Sequence, residues 1–288
     1  MISFENEKCV EKMRSRTQLS IPSISVKRCR GIGNVVMLLP VLDRLVEQGT
    51  QVHLVTQPQW VDTLQKFRPS LTVDDQCHAH TIDLDAATES LKPVKHRTAE
   101  FADLLGVTGP IDAPRISVRE EWSRRFHPWR GAVGFAPEAG HASREWPVEC
   151  AVELGNTLKD SPLILIGAKV GPPIPCALDT RGQLDLKDLF GLLGTLRLLI
   201  CMDSGILHLG AAIGVPTISI FGGVDPRYRI ATTQPVIALQ AKLDCCPCNK
   251  QETCDGAFDC IKAISPQAVL DVIKENAKIT ERTIRQVG

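Results

Sequence analysis

A short polar stretch, Asp203-Ser204-Gly205 followed by His208, interrupts the most apolar part of the chain. The apolar runs on either side, 196–202 and 217–221, have the length of strands buried on both faces. The residues between them predict one helix, with Asp203 as its N-cap and His208 one turn after Ser204 on the same face. The first turn of such a helix faces the carboxyl end of a parallel sheet, where N–H groups favour phosphate. The pattern as a whole predicts a phosphate site, whereas an N-cap or an ordinary helix histidine would explain either residue alone.

The predicted strands and helices on either side of this helix alternate along the chain. Such alternation is typical of a parallel sheet covered by helices. In the first half, the apolar patterns predict strands at 23–29, 51–56, 71–73 and 81–84 and helices at 35–48, 60–67 and 98–105. In the second half, they predict strands near 131–136, 163–167, 197–202, 216–221 and 235–239 and helices near 147–159, 185–194, 204–213 and 266–277. A polar, proline-containing linker is expected at 109–128. The expected parts are a polar segment at 1–20, a first domain at 21–120, a second domain at 129–265 and a C-terminal helix at 266–288.

Four groups of residues follow one another along the chain and fit together as a set. They are Arg30-Gly31-Ile32-Gly33-Asn34 leading to Leu39-Pro40; Gly134-Phe135-Ala136-Pro137 with Arg144-Glu145-Trp146-Pro147; Asp203-Ser204-Gly205 with His208 and, further on, Phe221-Gly222 and Asp225-Pro226; and a cysteine-rich tail that leads to Ile264-Ser265-Pro266. Together they resemble the heptosyltransferase-like glycosyltransferases of family 9, with a first half shorter than in members that build lipopolysaccharide cores. The resemblance implies an α/β fold of GT-B type, in which two Rossmann-like parallel-sheet domains face a cleft.

The resemblance also implies that the C-terminal half holds a nucleotide sugar, with ADP-heptose as the first donor to consider. Asp203 would hold hydroxyls of the donor sugar, the backbone of Ser204 and Gly205 would approach the diphosphate, and His208 would lie nearby. Arg144 would neutralise the charge that grows on the leaving group. A metal ion takes that role in other glycosyltransferases, so no cofactor is required here. The implied reaction is a metal-independent transfer with inversion at the anomeric carbon.

The acceptor side of the implied site is the loop of Gly31, Gly33 and Asn34, and Asn34 departs from the family pattern. Heptosyltransferases of the family carry a catalytic aspartate at this position, but a neutral amide cannot remove a proton from the attacking hydroxyl. Asn34 could orient an acceptor, or cap a helix that begins at Val35. Glu138 is another candidate base, although a carboxylate close to a diphosphate is electrostatically unfavourable.

Three explanations of Asn34 stay open. The base is another residue, the protein is a catalytically impaired binder of sugar nucleotides, or some family members with other acceptors tolerate asparagine. We favour a working transferase with a glycan, a lipid-linked glycan or another hydroxyl compound as acceptor. The segment 74–97 lies where acceptor contacts are expected and is short, so lipopolysaccharide core is not the default acceptor.

Two other patterns suggest different chemistry. A nicotinamide-dependent oxidoreductase would use Gly31-Ile32-Gly33, but Met37 lies near the place of the third glycine and the next strand ends in Thr56-Gln57, without an acidic residue for a ribose. Asp83-Leu84-Asp85 has the spacing of a metal-binding DxD motif, for which a chance match on a strand or turn is the better explanation. Neither pattern displaces the glycosyltransferase.

The cysteine-rich tail offers a possible structural metal site. Cys245, Cys248, Cys254 and Cys260 have the spacing C-x2-C-x5-C-x5-C, and four thiolates in one loop can bind Zn²⁺ tetrahedrally. One CxxC pair is a less specific indication of a zinc site than two such pairs. We therefore expect free or redox-labile thiols ahead of a structural zinc.

The overall composition restricts the partners. The chain has 288 residues, with 33 basic and 33 acidic side chains and a formal net charge of +0, so bulk charge gives no reason to expect a nucleic-acid partner. No apolar run is long enough to span a bilayer, and residues 1–20 contain no signal-peptide core. We therefore expect a cytoplasmic protein without a transmembrane segment, whose contact with a membrane surface would be transient.

Overall fold

The computed structural model describes residues 22–89, 93–249, 254–275 and 279–288. These residues form two sheets, one in each half of the chain, and every paired strand is parallel to its neighbour. The predicted pair of parallel α/β halves is therefore confirmed. The polar segment expected at 1–20 lies outside the described residues. None of the helices in the described ranges is long and apolar enough to cross a membrane.

The first sheet has the strand order β3-β2-β1-β4. Its strands are β1 (Ser23–Lys27), β2 (Gln51–Val55), β3 (Thr72–Asp74) and β4 (Ile82–Asp83), and the helices of this half are α1 (Ile32–Glu47), α2 (Pro58–Phe67), α3 (Leu84–Glu89) and α4 (Arg97–Leu104). Helix α1 begins at Ile32 and not at the predicted Val35. Gly31 has a φ angle of 75°, which glycine adopts at little cost, and this turn starts the helix early.

The second sheet has the strand order β11-β10-β9-β8-β5-β6-β7. Its strands are β5 (Val133–Ala136), β6 (Leu163–Leu165), β7 (Leu178–Asp179), β8 (Leu198–Met202), β9 (Thr217–Phe221), β10 (Val236–Ala241) and β11 (Thr283–Val287). The helices of this half are α5 (Glu120–Ser123), α6 (Val148–Thr157), α7 (Leu186–Leu193), α8 (Gly205–Ile213), α9 (Asp259–Lys262) and α10 (Pro266–Lys274). The central strands β5, β8, β9 and β10 are buried at every residue, as expected for strands covered on both faces.

The C-terminal segment 266–288 is not only the helix that was predicted. Helix α10 ends at Lys274, and β11 then pairs with β10 as the edge strand of the second sheet. The apolar pattern did not reveal β11, because this short edge strand contains just two apolar residues, Ile284 and Val287, and is only partly buried. The segment therefore belongs to the second half.

The last part of the predicted linker at 109–128 also belongs to the second half. It contains α5 and the start of a 3-10 helix, Arg124–Trp129. Trp122 packs on Phe190 of α7 with a ring-centroid distance of 5.9 Å. A Cβ atom on Gly191 would overlap the carbonyl oxygen of Trp122, so α5 lies directly on α7.

We expect Gly191→Ala to lower the free energy of unfolding by about 1–3 kcal/mol, the usual cost of overpacking. The added methyl group would meet backbone atoms of Trp122 and Ser123, which cannot rotate away. Urea denaturation measures the change. Gly194→Ala is the matched control, since its methyl group would meet only the side chain of Val118, at 3.2 Å. Equal stability of the two variants would contradict the prediction.

The two halves meet where α1 and α8 begin. A Cβ atom on Gly33 would lie 2.5 Å from Cδ2 of His208 and 3.1 Å from Cα of Gly205. A Cβ atom on Gly205 would lie 2.7 Å from Cγ2 of Ile32. The close approach of the two helices therefore requires both glycines, and it brings the carboxyl ends of β1 and β8 beside one cleft.

Candidate functional site

A cleft of about 570 Å³ lies between the two halves. From the first half it is lined by Arg28, Arg30, Gly31, Gly33, Asn34, Met37, Asp85, Thr88 and Arg97. From the second half it is lined by Ala139, His141, Ser143, Arg144, Asp203, Ser204, Gly205, His208, Gly223, Val224, Arg229, Cys248, Cys254, Phe258 and Cys260. The structure therefore brings together every residue predicted for the donor and acceptor sides.

The N-terminus of α8 opens into this cleft without a side-chain cap. Ser204, not the predicted Asp203, is the N-cap residue, and its side chain makes no capping hydrogen bond. Its hydroxyl oxygen is buried and has no hydrogen-bond partner in the part of the chain that the structure describes. Asp203 is 3% exposed at the end of β8. The first-turn N–H groups and the Ser204 hydroxyl can thus bind an anionic ligand.

His208 is a neutral group at this helix terminus. It is buried against Gly33, and burial lowers its pKa to about 4. The nearby positive charge of Arg229 also lowers this pKa, while the carboxylate of Asp203 opposes the shift. His208 therefore packs against Gly33 and brings no positive charge to the cleft at neutral pH.

Arg144 reaches the end of β8 from the loop after β5. Its Nη1 donates to the carbonyl oxygen of Asp203 at 3.0 Å and lies 3.9 Å from Oδ2 of the same residue. Trp146 anchors the loop, because its Nε1 donates to the carbonyl oxygen of Ile264 at 2.8 Å and its ring meets Phe135 edge-on. The side chain of Arg144 is still 35% exposed, so it can contact a ligand in the cleft.

The cleft has a surplus of positive charge. Its described lining contains five arginines and two carboxylates, which are Arg28, Arg30, Arg97, Arg144 and Arg229 against Asp85 and Asp203. Arg28, Arg97 and Arg229 were not identified from the sequence, because they are far apart in the chain and no local motif joins them. A chain of zero net charge thus concentrates arginine in one cleft, which favours an anionic ligand.

Asn34 lies on the acceptor side of the cleft, in the first turn of α1. Its Nδ2 donates to the carbonyl oxygen of Arg30 at 3.1 Å. The predicted role of Asn34 as an N-cap is wrong, because α1 begins before it at Ile32. Its side chain is therefore a positioned amide in the cleft, at the place where the family resemblance implies a base.

Glu138 is not suited to the role of base that was considered for it. Its Oε1 lies 3.3 Å from Nη1 of Arg181, which is itself buried and also paired with Asp179. Glu138 does not line the cleft. His141 does line it, and its Nδ1 lies 2.8 Å from Oγ of Ser143. Sequence reasoning missed His141, because it lies in an irregular loop without a recognisable spacing.

Asp83 and Asp85 hold the first half of the cleft together. Asp83 pairs with Lys27 at 2.8 Å. Asp85 lies 3.1 Å from Arg28 and accepts hydrogen bonds from the backbone N–H groups of Cys29 and Arg30. The DxD spacing is therefore explained by ion pairs and by a turn that precedes α1.

The cysteine tail contributes part of the cleft wall. Cys248, Cys254 and Cys260 line the cleft, whereas Cys245 is exposed. A hydrogen bond from Cys246 lowers the pKa of the Cys260 thiol and raises that of Cys246. In the described part of this tail, no three potential ligand atoms lie within 4.8 Å of one another. A zinc site at Cys245, Cys248, Cys254 and Cys260 stays a prediction.

Comparisons with known proteins give matches to glycosyltransferases. A sequence profile described as Glycosyltransferase family 9 (heptosyltransferase) matches residues 83–257. Lipopolysaccharide heptosyltransferase 2 of Escherichia coli (strain K12) is 26% identical over 159 residues, which are 49% of this chain and 45% of that protein. The match thus spans less than half of that relative's length.

Solved structures share the architecture at low sequence identity. The iron-containing dodecameric glycosyltransferase TibC of enterotoxigenic E. coli has a TM-score of 0.71 and 16% identity, covering 88% of this chain and 75% of that one. E. coli heptosyltransferase WaaC with ADP-2-deoxy-2-fluoro heptose has a TM-score of 0.59 and 16% identity, covering 88% of this chain and 100% of that one. These similarities establish the fold.

Two parallel-sheet domains on either side of an arginine-lined cleft define a protein of the GT-B class. Within that class, the match to the sequence profile identifies the family of the chain. The chain belongs to glycosyltransferase family 9, the heptosyltransferase family.

We expect the thiols of the cysteine tail to be free of metal in protein purified without a chelator, since no three of their sulfur atoms converge in the described part of the tail. Metal analysis for zinc and iron, together with thiol titration, measures this. Cys77→Ser, which changes an exposed cysteine outside the cleft, is the control for Cys248→Ser. About one metal ion per chain, lost on Cys248→Ser and kept on Cys77→Ser, would contradict the expectation.

Proposed function

We propose that this protein is a glycosyltransferase that moves a sugar of the heptose type from a nucleoside-diphosphate donor to a hydroxyl acceptor. The main support is the uncapped N-terminus of α8, which faces the arginine-lined cleft and has an unpartnered Ser204 hydroxyl. ADP-heptose is the first donor to consider, because WaaC was solved with an ADP-linked fluoro-heptose.

Each part of the proposed donor site has a separate task. The first-turn N–H groups of α8 and the hydroxyl of Ser204 bind the diphosphate. Arg144 neutralises the charge that develops on the departing diphosphate, so the transfer needs no metal ion. Asp203 accepts hydrogen bonds from sugar hydroxyls at the end of β8. Attack of the acceptor from the α1 side, opposite the leaving group, inverts the anomeric centre.

The acceptor is proposed to be a glycan or a lipid-linked glycan. The matched relative is a lipopolysaccharide heptosyltransferase, which makes a cell-surface glycan the first acceptor class to test. The short first half argues for an acceptor smaller than a complete lipopolysaccharide core. Contact with a membrane surface would then be transient and follow from the acceptor. A nucleic-acid acceptor has no support from the balanced overall charge.

A second candidate function is binding of a sugar nucleotide without turnover. Asn34 favours it, because the amide cannot take the proton of the acceptor hydroxyl. Incubation with donor alone separates the two functions. A transferase slowly releases nucleoside diphosphate by transfer to water, whereas a binding protein releases none.

The direct test is thermal stability with ADP, UDP, GDP and their sugar conjugates. A ligand at a hundred times its dissociation constant stabilises the folded state by about 2.7 kcal/mol. We expect one nucleotide to stabilise the parent but neither Asp203→Ala nor Arg144→Ala. Arg125→Ala is the control, since Arg125 is an exposed arginine paired with Asp188 outside the cleft. Failure of every nucleotide to stabilise the parent would refute the proposal.

A further inference from the structure

Two histidines and an aspartate converge on the first sheet, outside the cleft. His53 lies on β2, Asp74 is the last residue of β3, and His78 lies in the loop that follows. One ligand atom from each residue lies within 4.8 Å of the other two. None of the three residues lines the cleft, so the cluster is separate from the proposed transferase site.

The parallel register of the sheet produces this convergence. Val55 is opposite Asp74 in the β2–β3 ladder. Residues two apart on a strand point to the same face, so His53 shares a face with Val55 and therefore with Asp74. The loop after β3 then brings back His78, whose ring centroid lies 5.2 Å from that of His53.

The aspartate has one oxygen directed toward both histidines. Oδ1 of Asp74 accepts a hydrogen bond from the backbone N–H of Gln76 at 3.1 Å, which orients the carboxylate. Oδ2 lies 2.8 Å from Nε2 of His78 and 3.8 Å from Nδ1 of His53. A metal-binding carboxylate is commonly oriented by a hydrogen bond of this kind.

The imidazole nitrogen of His53 is the part of the cluster that the protein leaves unsatisfied. Nδ1 of His53 is buried and has no hydrogen-bond partner among the described residues. A hydrogen bond between Asp74 and His78 explains those two side chains, but it leaves Nδ1 of His53 without a partner. Buried polar atoms of this kind require an explanation, and a bound ion is one of the established ones.

We propose that His53, Asp74 and His78 bind a divalent transition-metal ion of the Zn²⁺ type. Imidazole nitrogen favours such ions over Mg²⁺ and Ca²⁺. Ligand atoms at the usual zinc distances of about 2.0–2.1 Å are about 3.3–3.4 Å apart in a tetrahedron. The observed separations of 2.8 and 3.8 Å lie on either side of that value, and all three side chains are partly exposed. Water completes the coordination, and the ion joins β2 to the loop after β3.

The test is zinc binding by the full chain after metal removal, measured by competition with a chromogenic chelator. Every protein carries serine in place of the five cysteines of the tail, so that their thiols do not obscure the result; these are Cys245, Cys246, Cys248, Cys254 and Cys260. We expect His53→Ala and His78→Ala each to weaken binding by at least about 100-fold, the upper end of what loss of an outer-sphere partner costs. His80→Asn is the matched control, because His80 is an exposed histidine of the same loop and its φ of 65° suits asparagine. Its affinity should equal that of the parent.

Cobalt provides a second measurement that does not depend on any histidine variant folding. Co²⁺ bound to nitrogen and oxygen ligands in the parent should show ligand-field absorption without a thiolate-to-metal charge-transfer band. Zinc affinities of both histidine variants within threefold of the parent would overturn the proposal and leave a simple Asp74–His78 hydrogen bond. A thiolate band, or no zinc binding by the parent, would overturn it as well.

Discussion

Arg144→Ala is expected to lower the rate of sugar transfer by about 10²- to 10³-fold, the range found when a positioned donor to a developing negative charge is removed. Arg144 is the partly exposed cation that the Trp146 anchor holds at the N-terminus of α8, beside the carbonyl oxygen of Asp203. Without it, the charge of the departing diphosphate would be met by more distant arginines. Steady-state kinetics with donor and acceptor measures the loss, which should appear in kcat together with a higher KM for the donor, because Arg144 also takes part in binding the nucleoside diphosphate.

Three comparisons make this prediction specific. Arg144→Lys keeps the charge but not the planar donor geometry, and it should recover only part of the rate. Arg125→Ala removes an exposed arginine outside the cleft and should leave kcat unchanged. The Arg144 side chain also donates a hydrogen bond to the carbonyl oxygen of Asp203, so its removal could disturb the fold. A melting temperature of Arg144→Ala near that of the parent shows that the loss of rate has another cause. An unchanged kcat in Arg144→Ala would remove this residue from the mechanism.

Asn34→Asp is expected to raise the rate of transfer by about a hundredfold or more, the contribution of a positioned general base. The present amide donates to the carbonyl oxygen of Arg30. A carboxylate cannot make that bond and is repelled by the same oxygen, so it would turn toward the cleft and the acceptor. The side chain lies in the first turn of α1, where the helix dipole also stabilises a negative charge.

The control for this prediction separates a new base from a change of shape. Asn34→Ala removes the hydrogen bond to Arg30 without adding a carboxylate, and it should bring no gain. If Asn34→Asp also brings no gain, the base is elsewhere, and His141 is the next side chain to test because it lines the cleft. A loss of more than tenfold in His141→Gln with unchanged Asn34→Asp kinetics would assign the base to His141.

The strands and most of the residues that α8 brings to the cleft were predictable from the sequence, because both depend on local patterns. The apolar run before Asp203 is short and continuous, and it forms β8, which is buried throughout. The glycines, Asp203 and His208 form a compact motif that a single helix start holds together. In such cases residues that are close in the sequence are sufficient to predict the chemistry of a site.

The parts that were not predictable depend on contacts between distant residues. The pairing of Glu138 with Arg181 removed a candidate base, and the two residues lie on different loops. Arg229 lines the cleft from the segment between β9 and β10, and no local motif marks it. Strand β11 forms by pairing with β10, and its own apolar pattern is too short to predict a strand. Helix starts were displaced for a local reason, because Gly31 and Ser204 turn the chain without a capping side chain.

The facing glycines of α1 and α8 set how closely the two sides of the cleft approach each other. Gly33 and Gly205 allow the two backbones to approach until Gly33 is in contact with the His208 ring. Reacting atoms must come within about 3–3.5 Å of each other before a bond can form. For the proposed transfer, a methyl group at either position would therefore act as a spacer between the donor side and the acceptor side, even if every group that binds the two substrates remained intact.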